Sequence, residues 1–326
     1  MTTMPHVDPE RLAALLGPRA RTCRRALTGQ EGIALPAFMD HHLHLHLVNE
    51  HALPARGIAA ALDLGGDPAY FARRPKRGIP QVAYAGAFLT VPGGYPTFQP
   101  WAPAQIVHMV TSPSADPGVP GGARTSVDEM ADAGASVIKV ALNSAAGPVF
   151  DRGTLDAVIA AAHARSLPVV AHVEGDGMTA LAVDAGADTI AHVPFTERVD
   201  DELIARAVEA GQRWISTITI NEDPSIAAEN LGRFAAAGGT VLYGTDLGNG
   251  PRGAGLLVEE LHALHEAGVA GPALIAALTD PWPLPHPETA VATFVAGPPP
   301  ADEAAIPEWL GAATVVPAEE LTPHEP

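Results

Sequence analysis

The feature that most constrains the fold is a regular alternation of short apolar runs with alanine-rich segments. The runs are rich in Val, Ile and Leu and span residues 35–47, 57–66, 79–89, 135–142, 167–175, 187–195, 212–220 and 238–246. The segments between them have helical spacing and close on Gly or a small polar residue, as helices commonly do. This alternation indicates parallel βαβ units. Eight strands within roughly 210 residues predict an α/β fold, a (β/α)8 TIM barrel, with an open doubly wound sheet as the alternative.

Two terminal segments and one long connection lie outside this repeat. We predict an N-terminal segment over 1–36, the barrel over 37–280, and a Pro-rich C-terminal segment over 281–326 with short strands and a mobile tail. The stretch 89–125 is rich in Gly and Pro and too long for an ordinary connection. Because it follows the third strand, we expect a functional lid or a disordered segment at the C-terminal face of the barrel.

Composition excludes several classes of function. Acidic side chains (37) outnumber basic ones (19), so the formal charge is -18, which argues against nucleic-acid or anionic membrane partners. A hydrophobic content of 47% excludes global disorder. A single cysteine, Cys23, excludes an intrachain disulfide and suits a reducing compartment. With no signal pattern and no long apolar run, we expect a cytoplasmic protein that binds a small-molecule substrate; homo-oligomerisation is left open.

Four polar residues alternate along the first predicted strand: Asp40, His42, His44 and His46. Alternate side chains of a strand share one face, so these residues are predicted to point into the barrel. Buried imidazoles need hydrogen-bond partners or a metal ion. The pattern therefore favours metal binding, with a generic His-rich tract or satisfied core histidines as the alternatives.

Lysine is scarce, and its two positions differ sharply. Lys76 lies in the polar segment RRPKRG, whereas Lys139 lies in the apolar run ASVIKVAL, where a charged amine is costly to bury. Such a lysine must lose its proton, pair with an acid or be modified. His172, His192 and Asp246 close later strands, and strand ends converge on the face where barrel active sites form.

These residues resemble the amidohydrolase superfamily of metal-dependent hydrolases. The segments ALDLGGDP, GAFLTVPGGYP, GASVIKV, AHVEG, GADTIAHV and YGTDLG are similar to its imidazolonepropionase-like and prolidase-like branch, and the resemblance runs over residues 33–279. The matching positions are a D-x-H-x-H motif and one residue on each of four later strands: Asp40, His42, His44, Lys139, His172, His192 and Asp246.

The resemblance implies a dinuclear metal centre. His42, His44 and Asp246 would hold the more buried ion and His172 and His192 the second, with Lys139, carboxylated by carbon dioxide or bicarbonate, bridging them. Two such ions can share a hydroxide and polarise a carbonyl oxygen. Mixed nitrogen and oxygen ligands suit zinc, although manganese, cobalt or iron would also fit. The bridging hydroxide would attack an amide, a cyclic amide or imide, or a related carbonyl bond, and Asp246 would act as the catalytic proton acceptor.

Four residues on strand ends or adjoining loops are candidate substrate contacts: Tyr95, Thr219, Asn221 and Arg252. Tyr95 stands where relatives often have histidine after paired glycines, which is a departure from the family pattern. The short flanking segments predict only a reduced remnant of the family's β-sandwich. Two alternatives stay open: a metal-dependent decarboxylase or isomerase on the same barrel, and a non-catalytic protein that retains the metal.

Overall fold

The computed structural model describes residues 7–75, 77–248 and 252–323; Lys76 lies outside these ranges. Within them the strands are, in chain order, β1 (Arg21–Arg25), β2 (Glu31–Leu35), β3 (Phe38–Leu43), β4 (Ile58–Asp63), β5 (Gln81–Tyr84), β6 (Phe88–Thr90), β7 (Val107–Met109), β8 (Ile138–Asn143), β9 (Val169–Glu174), β10 (Thr189–Ile190), β11 (Arg213–Ile215), β12 (Thr240–Leu242), β13 (Val291–Ala296), β14 (Thr314–Pro317) and β15 (Leu321–Pro323).

Helices follow most of the strands from β8 onwards. In chain order the helices of the described residues are α1 (Pro9–Leu16), α2 (Pro68–Arg73), α3 (Ala123–Asp132), α4 (Arg152–Ala164), α5 (Met178–Ala185), α6 (Asp201–Glu209), α7 (Ser225–Ala236), α8 (Val258–Glu266), α9 (Gly271–Thr279) and α10 (Ile306–Leu310). Local sequence explains their starts, since Asp151 and Asp200 cap α4 and α6 by accepting backbone N–H bonds. None of these helices is long and apolar enough to cross a membrane.

Two parallel sheets form the centre of the molecule. One has the order β3-β4-β5, and the other has the order β12-β11-β10-β9-β8-β6-β7. Parallel strands joined by helices confirm the predicted α/β class. The predicted third strand is divided between the sheets, because β5 belongs to one and β6 to the other.

Backbone hydrogen bonds join the two sheets at both edges. On one edge the N–H of His41 donates to Tyr243 O at 2.9 Å and the N–H of Asp246 donates to His42 O at 2.7 Å. On the other edge the N–H of Ser136, just before β8, donates to Tyr84 O at 2.7 Å. The carboxyl ends of β3, β8, β9 and the segment after β12 are therefore brought to a common face.

The two ends of the chain build a third, antiparallel sheet. Its order is β14-β13-β2-β1-β15, so the N-terminal hairpin β1–β2 lies between strands from the C-terminal segment. The buried side chains of Cys23, Ala34, Phe294 and Val316 form its small core. The sequence predicts strands in both terminal segments, and the pairing of β2 with β13 shows how they are combined.

One face of the parallel strands changes character along its length. On β9, Val169, Ala171 and Val173 join the large core, whereas Val170 and His172 lie on the opposite face. Val170 belongs to a second core that also contains Met39 from β3. This face is thus apolar towards the amino ends of the strands and carries histidine towards their carboxyl ends.

The predicted first strand is too long. β3 ends at Leu43, its register with β4 shifts between Asp40 and Leu43, and His46 lies in a short 3-10 turn with an exposed side chain. The chain leaves the sheet because Asp63 on β4 accepts a hydrogen bond from the N–H of Leu45 at 2.7 Å. His46 therefore does not continue an inward strand face.

Candidate metal centre

His42 and His44 lie at the carboxyl end of β3, and both are buried. Asp40 anchors this end of the strand by accepting hydrogen bonds from the N–H of His42 at 3.0 Å and the N–H of Thr245 at 3.2 Å. Burial raises the pKa of Asp40 to about 7, against these hydrogen bonds, which lower it. Asp40 thus serves as a clamp between β3 and the segment after β12.

Asp246 is the centre of the cluster. Its Oδ1 lies 3.4 Å from Nε2 of His42 and 3.2 Å from Nε2 of His44, and its Oδ2 lies 3.9 Å from Nε2 of His192. Burial alone would raise its pKa, but the adjacent imidazoles of His42, His44 and His192 hold the pKa of Asp246 well below its usual range. Asp246 is therefore ionised. We call His42, His44 and Asp246 the aspartate side of the site.

His192 connects the aspartate side to the rest of the cluster. Its ring stacks on His42 at a centroid distance of 4.7 Å and meets His172 edge-on at 5.2 Å. Its Nδ1 lies 2.8 Å from Oγ1 of Thr217. Burial lowers the pKa of His192 to about 3 and also lowers that of His172, so both imidazoles are neutral.

Lys139 and His172 form the opposite flank, which we call the lysine side. Lys139 is 1% exposed, and within the described residues its Nζ has no hydrogen-bond partner. Burial lowers the pKa of Lys139 to about 7, against the charge of Asp246, which raises it. Nε2 of His172 lies 3.3 Å from Oε2 of Glu174, and its ring stacks on Tyr95 at 4.8 Å.

These residues fit a divalent metal ion. His42, His192 and Asp246 each offer a ligand atom, and those atoms lie within 4.8 Å of one another. Two ligand atoms on one tetrahedral zinc ion, each ~2.1 Å from it, are about 3.4 Å apart. The separations of 3.2, 3.4 and 3.9 Å around Asp246 are close to that spacing. The lowered pKa values of His192 and Asp246 favour the neutral imidazole and the ionised carboxylate that a metal ion requires.

The predicted substrate contacts fall into two groups. Tyr95 is half-buried against His172. The others meet at the turn after β11, which contains Thr219 and Asn221. Arg252, from the segment after β12, donates from Nη2 to Thr219 O, Thr219 donates from Oγ1 to Glu260, and Asn221 donates from Nδ2 to Ile218 O at 3.1 Å. The structure thus places Tyr95 in the histidine cluster, whereas Thr219, Asn221 and Arg252 meet at a turn beside it.

Two further aromatic residues, Phe88 and Trp101, line the same face. The ring of Phe88 stacks on that of His44 at a centroid distance of 5.8 Å. The ring centroid of Trp101 lies 6.0 Å from that of His44 and 6.1 Å from that of Tyr95. Trp101 belongs to the Gly- and Pro-rich stretch, so this part of it packs beside the site, as a lid would. The sequence offers no periodic signal for this contact, because it depends on how a long loop folds back.

Two acids beside the site, the partly buried Glu174 and the buried Glu260, are not among the residues predicted from the sequence. Glu174 accepts a hydrogen bond from Asn143 Nδ2 at 2.5 Å and lies beside His172. Its signal was available, since it follows His172 by two residues on one strand face. Glu260 lies on α8 and accepts bonds from the turn that contains Thr219. Nothing local in the helix sequence indicates that contact.

Comparison with known proteins finds relatives by structure only. No family model matches the sequence, and no curated protein matches it. A solved Xaa-Pro dipeptidase with methionine bound in its active site is similar, with a TM-score of 0.67 and 19% identity over 89% of this chain and 87% of that one. A prolidase complexed with N-methylphosphonate-L-proline is also similar, with a TM-score of 0.64 and 19% identity over 90% of this chain and 87% of that one.

A third similar structure is A. niger ochratoxinase, with a TM-score of 0.58 and 20% identity over 75% of this chain and 70% of that one. At these identities the likeness concerns the fold. The chain therefore has the fold of solved prolidase-like and amidohydrolase structures, and the resemblance noted in the sequence is confirmed at that level.

Proposed function

We propose that the chain is a metal-dependent hydrolase of the amidohydrolase superfamily that cleaves an amide, a cyclic amide or imide, or a related carbonyl bond of a small molecule. The observation that carries this proposal is the convergence of His42, His192 and Asp246, from three distant parts of the sequence, on one buried point. Buried histidines grouped around a buried aspartate are poorly explained by packing alone, because burying such polar groups is costly.

The proposal also includes the architecture of the chain, a single barrel with a small terminal sheet. The hydrogen bonds at both edges of the parallel sheets support a single (β/α)8 barrel over residues 37–280. The terminal segments 1–36 and 281–326 would then be the reduced sandwich remnant, as their joint antiparallel sheet suggests. The site lies at the carboxyl ends of the strands, where enzymes with this barrel carry their chemistry.

The ligand roles follow the two sides of the site. His42, His44 and Asp246 would hold one divalent ion and His172 and His192 a second, and Lys139, carboxylated by carbon dioxide, would bridge them. The unpartnered Nζ of Lys139 at the centre of a buried cluster supports this modification, which would turn an amine into an anionic oxygen ligand. Zinc is the metal we favour; bound in pairs, such ions activate water and polarise a carbonyl group.

The protein's own groups would manage protons and substrate. Asp246, held ionised, accepts the proton of the attacking water and returns it to the leaving nitrogen, so that an amide and water become a carboxylic acid and an amine. Tyr95 faces the lysine side, and burial raises the pKa of its phenol well above the usual range, so it stays a hydrogen-bond donor. Arg252 would counter a negative charge on the substrate, and Thr219 and Asn221 would shape the same wall.

Metal content and turnover test the proposal together. Protein purified with bicarbonate should contain two divalent ions per chain by inductively coupled plasma mass spectrometry. The metal-loaded protein should hydrolyse at least one member of a panel of N-acyl amino acids, dipeptides including Xaa-Pro, cyclic imides and lactones. Asp246→Asn serves as the inactive control on the same panel. Protein without tightly bound metal, or loaded protein that turns over no member of the panel, would contradict the proposal.

A further inference from the structure

A short turn after β11 holds a threonine in an unusual backbone conformation. Thr217 has φ 42° and ψ 38°, in the left-handed region that a β-branched residue rarely adopts. Such conformations cost free energy and persist only where the surroundings impose them. Thr217 is also buried, and its Oγ1 lies 2.8 Å from Nδ1 of His192.

The N–H of Thr217 donates to Gly244 O at 3.2 Å, and the two residues that follow it are held by α8. Glu260 is 0% exposed and accepts hydrogen bonds from the N–H of Ile218 at 2.8 Å, the N–H of Thr219 at 2.9 Å and Oγ1 of Thr219 at 2.8 Å. No basic side chain forms an ion pair with Glu260 in the described part of the chain. Burying an acid without a counter-ion costs free energy. The three hydrogen bonds that one turn donates to Glu260 therefore suggest that the acid has a role in that turn.

The contact between Nδ1 of His192 and Oγ1 of Thr217 bears on which nitrogen of His192 is available to a metal ion. When Nδ1–H of His192 donates to Oγ1 of Thr217, Nε2 keeps its lone pair and faces Oδ2 of Asp246 at 3.9 Å. A metal-binding imidazole needs its lone pair on the ligating nitrogen, and the partner of the other nitrogen sets that tautomer.

We propose that Glu260 and Thr217 are positioning residues that act on the metal centre through His192. Glu260 holds the turn, the turn holds Thr217 in the left-handed conformation, and the Thr217 hydroxyl fixes the ring orientation and tautomer of His192. This inference rests on the proposed metal-dependent function. According to this inference, a residue of α8 that makes no direct contact with a metal ligand influences how tightly the site binds metal.

The test compares hydroxyl removal at two buried threonines. Thr217→Val keeps the side-chain shape and removes the bond to His192. Thr189→Val is the matched control, since Thr189 is equally buried on β10 and its Oγ1 has no hydrogen-bond partner among the described residues. Thr217→Ser restores the hydroxyl. Glu260→Gln keeps the shape of the acid, but its amide places hydrogens where the carboxylate accepts bonds.

Zn²⁺ affinity is measured by chelator competition, and the melting temperature of each metal-free variant reports folding separately. Thr217→Val should bind the weaker of two ions about 10–100-fold less tightly, the usual range for loss of a partner of a ligating histidine. Glu260→Gln should weaken it in the same direction, while Thr217→Ser and Thr189→Val stay near wild type. ¹⁵N NMR of His192 should show Nδ1–H in the metal-free wild type and a mixture of tautomers in Thr217→Val.

The outcomes separate this inference from the function on which it rests. Wild-type protein that holds no divalent ion would overturn both. Wild type that holds metal, together with a folded Thr217→Val of unchanged Zn²⁺ affinity and tautomer, would overturn the positioning role and leave the proposed hydrolase intact. Equal losses in Thr217→Val and Thr189→Val would assign the effect to packing and would also overturn it.

Discussion

The two sides of the site are built in different ways. On the aspartate side, Asp246 lies 3.2 and 3.4 Å from two histidine nitrogens, and backbone hydrogen bonds tie its segment to β3. On the lysine side, Nζ of Lys139 has no hydrogen-bond partner among the described residues, and His172 turns towards Glu174. The aspartate side is therefore held together by contacts within the protein, whereas the lysine side contains a buried amine without a hydrogen-bond partner among the described residues.

Removal of all metal should have the largest effect and should expose this difference. Dialysis against a chelator is expected to abolish hydrolysis, and re-addition of Zn²⁺ should restore metal in two steps, with the preformed aspartate side filling first. Ion binding at 100 times its Kd stabilises by about 2.7 kcal/mol, so we expect the melting temperature to fall by roughly 5–10 °C on removal. Calorimetric titration checks the steps. A single step with two equal affinities would contradict the difference between the sides.

Asp246→Asn should nearly match metal removal in its effect on activity. The amide keeps the size of the side chain but loses the charge that pairs with His42, His44 and His192 and the capacity to accept a proton. We expect kcat to fall on the order of 10²–10⁴-fold, the usual contribution of a general base. Steady-state kinetics and metal analysis measure both losses.

Asp223→Asn is the matched control for this change, because Asp223 is exposed and accepts a hydrogen bond from the N–H of Ser225 at the start of α7. It should leave kcat and metal content unchanged. An Asp246→Asn protein with wild-type kcat would remove Asp246 from the chemistry and would place the proton acceptor elsewhere, with Glu174 the next acid to test.

Substitutions of Lys139 test the lysine side without changing the ligands of the aspartate side. Lys139→Ala and Lys139→Met should each lower the metal content from two ions to one, since the aspartate side retains its own ligands. Metal-free Lys139→Met should also melt at a higher temperature than metal-free wild type, because an apolar side chain of similar length replaces a buried amine without a partner. Mass spectrometry of the intact, bicarbonate-treated protein would detect the added carboxylate. Retention of two ions by either variant would refute the bridging role.

Periodicity was enough to predict much of this arrangement. The eight apolar runs coincide with all the parallel strands except β7, which lies in the stretch 89–125 where no strand is predicted. Lys139 and His172 lie on β8 and β9, as their positions in apolar runs predict, because a run of apolar residues is a local property of the sequence. Thr217, Trp101 and Glu260 could not be found in that way. Their contacts depend on a left-handed turn, a folded-back loop and a helix that begins 41 residues after Thr217, and none of these leaves a periodic trace.

The smallest predicted effect concerns the phenol at the edge of the lysine side. Tyr95 stacks on His172 at 4.8 Å, so Tyr95→Phe keeps the stack and removes only the hydroxyl, whereas Tyr95→Ala removes both. Tyr95→Phe should leave Zn²⁺ affinity unchanged and alter kcat/KM by about 10-fold, the cost of one lost hydrogen bond to substrate. Tyr95→Ala should in addition weaken the ion held by His172. If Tyr95→Phe lowered metal affinity as much as Tyr95→Ala, the hydroxyl would belong to the metal site; if neither variant changed kcat/KM, Tyr95 would be only packing for His172.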